Sequence, residues 1–399
     1  MGDSHRRPCR DSCAFVSFCI KWEKISGVLG LFGFALILFS IFHFDRTVLS
    51  PSYYLMVPTF GSVLVIIFCN SGSIVYKILG NRFTVFIGLL SYSLYLWHQP
   101  VFAYLRVYSK EHPGPLLFLI MMPLIFVFSY LSWQFVERPF RDRKKIRTKE
   151  VLVFSASCSA LFVSIGVYLN NNYGMPDRIF GPDIKIEDMD KRIYNEKTFS
   201  HKVDSFSANG RKKILIIGNS AARDFVNITI ENYDIGGVEI MYRDDLGECI
   251  VDSGADQREK FDKADVIVFA SGGADPKCIT KDIHYADVAK KIIYYIGPKN
   301  FGYNLNWLIR LTGDERRSQY NAVPDHILET ELEMSKIIPP RHFISLLRPT
   351  AVDGRIPITD NLGRMLSTDR AHLTKYGAIY FGQKAVLRTT YSDIFRYNR

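Results

Sequence analysis

A chain of 399 residues, 48% of them hydrophobic, is long enough for two domains and a sizeable core, yet its apolar residues are spread unevenly: the first 170 are membrane-like and the rest are not. The formal charge of +10 raises nucleic acid as a partner, but much of it lies in basic clusters beside apolar stretches. Membrane topology accounts for those clusters, and no nucleic acid is expected.

The N-terminal segment, residues 1–24, carries Arg6, Arg7, Arg10, Lys21 and Lys24. Its Cys9, Cys13 and Cys19 match no zinc spacing, and Cys19 is placed for acylation beside a membrane. Between residues 25 and 170 come five apolar stretches: 25–44, 54–69, 83–105, 115–136 and 151–169. Each approaches the ~20 residues that a helix needs to cross the hydrocarbon layer. They lack the charges that a soluble bundle would turn outward. The expectation is a multi-pass integral membrane domain of five spans in a lipid bilayer. Its first span lacks a clear small-residue cleavage site and is expected to stay as a signal anchor.

RDRKKIRTK, Arg141 to Lys149, separates the fourth and fifth stretches and is cytoplasmic by the positive-inside rule. Counting back four crossings puts the basic N-terminal segment on the same side, so two independent clusters agree. The fifth span then delivers everything beyond residue 170 to the lumen or the exterior. Cys69 and Cys158 fall in or beside spans as packing residues. Cys249 and Cys278 lie on the far side, where a disulfide between them is expected. Asn227-Ile228-Thr229, on that side too, is a glycosylation sequon.

Residues 171–209 are polar and broken by Gly174, Pro176, Gly181 and Pro182, so they read as a linker. From 210 to 399 strands alternate with helices. Predicted strands cover 214–217, 237–242, 265–270 and 342–346; predicted helices cover 221–231, 287–295 and 375–389. This is the pattern of an α/β domain, a parallel sheet with helices on both faces. At the end of its first strand Gly218-Asn219-Ser220 presents a hydroxyl at a strand-to-helix turn, where open α/β sheets bind ligands and where helix N–H groups can face an oxyanion. Asp369 and His372 stand three apart before the last helix, as an orienting carboxylate and a general base would.

These blocks resemble those of the SGNH hydrolases, Gly-Asp-Ser at the start and Asp-x-x-His at the end. The resemblance implies Ser220 as nucleophile, His372 as base and Asp369 as its partner. Asn219 replaces the usual aspartate, and the Gly-x-Asn-Asp block that supplies an oxyanion asparagine is replaced by SGGADP, Ser271 to Pro276. Gly247, through its N–H, and Asn304 and Asn306 are candidates for oxyanion or substrate contacts. Gly2-Asp3-Ser4-His5 repeats the motif without a preceding strand and is discounted.

SYSLYLWHQPVF, Ser91 to Phe102, and FVERPFR, Phe135 to Arg141, resemble the closing spans of the acyltransferase 3 family. That resemblance implies a membrane O-acyltransferase, which moves an acyl group from a cytoplasmic donor, acyl-CoA as co-substrate, to a hydroxyl of a glycan or lipid on the exoplasmic side. No bound cofactor and no metal are expected. His98 occupies a motif position as a structural or donor-lining residue, while Glu137 and Arg138 pair or anchor a helix end. The family's membrane domain has about twice as many spans, and its early histidine and arginines have no counterpart here. The membrane half is thus expected to be partial, leaving three alternatives: completion by a second membrane subunit, a membrane-tethered esterase, or a truncated inactive family member.

Overall fold

The computed structural model describes residues 12–45, 48, 51–141, 146–180, 184–271 and 275–398, with no side chains given at 12–24, 178 and 396–398. The basic residues at 6, 7 and 10, the motif copy at 2–5, Cys9 and parts of the 141–149 loop lie outside the described residues, as do Gly181, Pro182, Gly272 and Gly273. Two compact units divide the chain: Met1–Val101 with Met121–Ile146, and Phe102–Ile120 with Arg147–Arg399.

Among the described residues, all the regular structure of the apolar half is helical. Helices α1 (Ser12–His43), α2 (Met56–Phe68), α3 (Ile74–Leu79), α4 (Arg82–Tyr108) and α5 (Pro115–Ser132) come first. A wide turn, Trp133–Glu137, then leads to α6 (Arg138–Arg141), and α7 (Thr148–Asn171) follows. Among the described residues, Ile25–His43, Pro115–Arg141 and Thr148–Asn171 are long and apolar enough to cross a bilayer, while Tyr53–Phe68 is apolar but shorter. Helix α4 has 27 residues, but its tyrosines, His98, Gln99 and Arg106 keep it out of that set.

Small residues let α1 and α2 touch. A Cβ on Gly33 would lie 2.6 Å from the Gly61 carbonyl oxygen, and one on Gly61 would lie 2.7 Å from that of Gly33, so the backbones meet directly. Asn70 closes the pair by donating to the Ser26 hydroxyl at 2.7 Å. Other hydroxyls, those of Ser40, Ser62, Ser129 and Ser164, bond the carbonyl four residues back, which satisfies them inside an apolar helix.

The C-terminal half is an α/β domain. Strands β1 (Lys212–Ile217), β2 (Val238–Arg243), β3 (Val266–Phe269) and β4 (Ile292–Ile296) join β6 (Phe343–Ile344) in a parallel sheet of order β2-β1-β3-β4-β6; β5 (Tyr320–Ala322) and β7 (Arg355–Pro357) form a separate antiparallel ribbon. Alternation along β1 builds the two cores. Ile214 and Ile216 face Phe225 and Val226, whereas Leu215 and Ile217 face Phe261 and Ile279. The first face holds α11 (Ser220–Asn232) and α15 (Lys375–Phe381); the second holds α12 (Ala255–Lys263), α13 (Pro276–Val288) and α14 (Asp325–Ile337).

Three expectations are corrected. Residues 287–295 are not a helix: α13 ends at Val288, Lys290 turns the chain with a φ of +54°, and the β-branched and aromatic run after it is β4. The polar stretch after residue 170 is not a bare linker, because α8 (Asp177–Phe180), α9 (Ile186–Met189) and α10 (Lys191–Glu196) bury Met189 and Tyr194 in the first core. The closing helix stops at Phe381 and continues as a wide turn, Gly382–Val386.

The sequon also falls in the core. Asn227 is 3% exposed and donates to the Asn195 side chain at 2.8 Å, and Thr229 contacts the Tyr391 hydroxyl at 3.0 Å. The cysteine pairing expected from the compartment is present, with Cys249 and Cys278 bonded at a Cα separation of 5.3 Å.

Candidate active site

The turn bearing Ser220 is fixed by backbone geometry. Gly218 has a φ of +137°, and a Cβ there would lie 2.5 Å from the Ala270 carbonyl oxygen, so glycine alone fits this turn against the end of β3. Asn219 then caps α11. Its side-chain oxygen accepts from the Ala221 N–H at 2.9 Å while its amide donates to the Ser271 carbonyl at 3.3 Å. An ionised aspartate could make only the first bond, which gives the asparagine a physical role. Ser220 is the first residue of α11, at the carboxyl end of β1 and beside the switch point between β1 and β3.

Asp369 and His372 come together in the loop before α15. His372 Nδ1 is 2.7 Å from Asp369 Oδ2, and the Ala371 and His372 N–H groups each donate to Asp369 Oδ1 at 2.8 Å. Lys191, from α10, adds a bond to Oδ2 at 2.6 Å. Burial alone would raise the Asp369 carboxyl, but the bonds from His372, Lys191 and Ala371 hold it far below the usual carboxylate range. It is therefore ionised at neutral pH.

A buried ion pair fastens this loop to the serine helix. Asp224, one turn beyond Ser220, accepts the Leu373 N–H at 3.1 Å. Lys299, just past β4, reaches Asp224 at 2.6 Å and also donates to the Ala371 carbonyl. The two side chains are 1% and 6% exposed. Burial raises the Asp224 carboxyl against the opposing pull of Lys299 and Leu373. Ser220 and His372 form no hydrogen bond with each other among the described residues; in apo sites such contacts often tighten only when substrate binds.

Two cavities meet the loop. One, of about 270 Å³, is lined by His372, Arg223, Phe199, Lys191, Arg192, Asn195 and Glu196. The other, of about 840 Å³, is lined by Arg370 and Ala371 together with Tyr303, Tyr320, His326, Arg355 and Lys110 to His112.

Among the described residues, none of the remaining candidates bonds to Ser220, Asp369 or His372. Gly247 is exposed in the loop after β2, which the Cys249–Cys278 disulfide ties to α13 and a 2.7 Å bond from Ser271 to Glu248 ties to the end of β3. The Asn304 amide donates to the carbonyls of Arg106, Val107 and Ser109 at 2.8 to 3.2 Å, at the end of α4. Asn306 is exposed and gives its N–H to Asn304. His98 bonds the Leu94 carbonyl of its own helix at 3.2 Å and lies against Tyr95. Glu137 accepts from Ser93 at 3.0 Å and pairs with Arg141 at 2.5 Å, which joins the two membrane motifs. A cluster of Cys249, Asp252 and Cys278 offers a metal no thiolate, because its sulfurs are bonded to each other.

Sequence reading missed Lys191, Arg223, Asp224 and Lys299. Helical spacing from Ser220 points to Arg223 and Asp224, three and four residues on. For Lys191 and Lys299 no local signal exists.

Residues 19–134 match the acyltransferase 3 family, described as an acyltransferase domain. The O-acetyltransferase OatA of Staphylococcus aureus (strain NCTC 8325 / PS 47) is 27% identical over 121 residues, 29% of this chain and 20% of that protein. A second Staphylococcus aureus protein, SACOL0978 of strain COL, whose name carries a provisional O-acetyltransferase assignment, is 42% identical over 66 residues, 16% of this chain and 11% of its own length. The chain thus covers between a tenth and a fifth of the length of these relatives. No solved structure matches it. Over residues 19–134 the chain matches the acyltransferase domain of this family, and parts of it are similar to staphylococcal O-acetyltransferases.

Proposed function

We propose that the chain acts in membrane O-acylation, with an SGNH-type α/β domain that carries the acyl group on Ser220. The helical half takes the group from a cytoplasmic donor, acyl-CoA, across five spans, and the α/β domain passes it to a glycan or lipid hydroxyl on the exoplasmic side. The observation that carries this reading is the Asp369–His372 pair, held at 2.7 Å and clamped by Asp224 and Lys299 to the helix that Ser220 begins. The bonds from Asn304 to the end of α4 support placing that helix end and the α/β domain on one side of the membrane. The predicted order of crossings requires the same.

In the reaction, Ser220 Oγ attacks the acyl carbonyl and gives its proton to His372, which Asp369 orients. The oxyanion faces N–H groups at the start of α11 and in the Gly247 loop. As the intermediate collapses, His372 returns the proton to the departing carrier and acyl-Ser220 remains. An acceptor hydroxyl then attacks the ester, loses its proton to His372, and Ser220 recovers it on release.

A fluorophosphonate probe on the full chain in nanodiscs tests the nucleophile. Wild-type protein should label and Ser220→Ala should not; wild-type protein that stays unlabelled refutes the reading. Acetyl groups from labelled acetyl-CoA that appear only as free acetate, never on an acceptor, would make the domain an esterase.

A further inference from the structure

We infer that the cavity beside His372 recognises a carboxylate on the acyl acceptor through Arg223, an inference that rests on Ser220 being the nucleophile. Arg223 is three residues beyond Ser220, on the same face of α11, and lines the 270 Å³ cavity with His372. Its guanidinium lies 5.4 Å from the Phe199 ring centre, which holds its plane while leaving its edge for a partner.

The charges of the lining single this residue out. Lys191 is taken by Asp369 at 2.6 Å, and Arg192 by Asp190 at 3.2 Å. Glu196, the carboxylate of the lining, adds its field to Arg192. Arg223 forms no ion pair among the described residues, and its buried Nε has no hydrogen-bond partner. A buried donor without an acceptor is costly, and a planar carboxylate offers two oxygens to the guanidinium fork. Arg223 is the cation of the lining without an ion pair among the described residues, and its fork suits a planar carboxylate. The acceptor class is therefore a hydroxyl compound bearing an acid group, such as a sugar acid, with the carboxylate on Arg223 and a hydroxyl directed toward His372.

Binding tests this without turnover. The full chain in nanodiscs, carrying Ser220→Ala, is titrated with glucuronate and with its neutral methyl ester, which replaces the charged carboxylate by an ester of one added methyl group. Glucuronate should bind on the order of tenfold to a hundredfold more tightly, and Arg223→Gln should bring the two ligands within about threefold of each other. Arg223→Lys, which keeps the charge and loses the fork, should fall between. Glucuronate that does no better than its ester, whether or not either binds measurably, overturns the inference, as does a preference that survives Arg223→Gln. If Arg223→Gln fails to fold, the wild-type comparison of acid and ester decides alone. Fluorophosphonate labelling of the chain with Ser220 intact separates the two ideas: labelling with no preference for the acid refutes the carboxylate site, whereas preference with no labelling refutes the nucleophile.

Discussion

The helical half and the α/β half use the same kinds of residue in opposite directions. In the first, apolar side chains point outward: Phe42 is 79% exposed and Ile66 81%, and the window of α7 most suited to crossing a membrane has no buried residue. In the second, apolar side chains fill two layers around a sheet. Polar contacts differ as well. Ser40, Ser62, Ser129 and Ser164 in the apolar helices turn back to their own backbone four residues away, beside the two longer links Asn70–Ser26 and Ser93–Glu137, whereas Asp369, Asp224 and Lys299 all bind partners from distant parts of the chain. A solvent without hydrogen bonds forces the local solution, and a domain in water can afford the long-range one. The convergence of Asp369, Asp224, Lys299 and Lys191 from several elements is therefore a feature of the α/β half.

Breaking the long-range network should have the largest effect. With a chromogenic acetyl ester, His372→Ala or Asp369→Asn is expected to lower turnover by about 10³- to 10⁴-fold, the scale on which triads depend on their base and its orienter. Unchanged turnover would sever the comparison between architecture and chemistry. Next comes Lys299→Met, which strands Asp224 as an unpaired buried carboxylate and should cost about 3–5 kcal/mol in denaturant unfolding of the α/β domain. Replacing Cys249 and Cys278 by serine should cost about 2–4 kcal/mol by the same measurement.

Acid should follow the same logic with a defined sign. The Asp369 carboxyl is depressed in the folded state, so its contribution is complete above its unfolded value, about 4, and is lost as pH falls below that. The melting temperature of the α/β domain should thus decline below about pH 4, and Asp369→Asn should flatten that decline. The smallest change is expected in the membrane: Ser93→Ala, which removes the link to Glu137, should cost about 0.6 kcal/mol in detergent unfolding, typical of hydrogen bonds between membrane helices. A cost of several kcal/mol there would show that the helical half also relies on convergent polar contacts.

What the sequence made legible follows from periodicity and turn chemistry. The run Ile214 to Ile217 ending at Gly218 announced a buried strand and its turn, and Asp369 and His372 were close enough in sequence to be paired by inspection. The stretch 287–295 misled because Ile292, Ile293, Tyr294 and Tyr295 fit either period; Lys290, in a left-handed conformation that a lysine does not advertise, decides for the strand. The segment after residue 170 looked like a linker because its breakers were visible and the burial of Met189 and Tyr194 was not. Lys191 and Lys299 act at sequence separations that no local pattern encodes.

Asn227 has a consequence of timing. In the folded domain its amide is shut behind Asn195, so an enzyme that attaches sugars could reach it only before α11 docks. A glycan added then would hold the helix off the sheet. In a glycosylating compartment, occupancy of this triplet would record which chains lost the race between folding and modification, and the sugar would mark the slow folders.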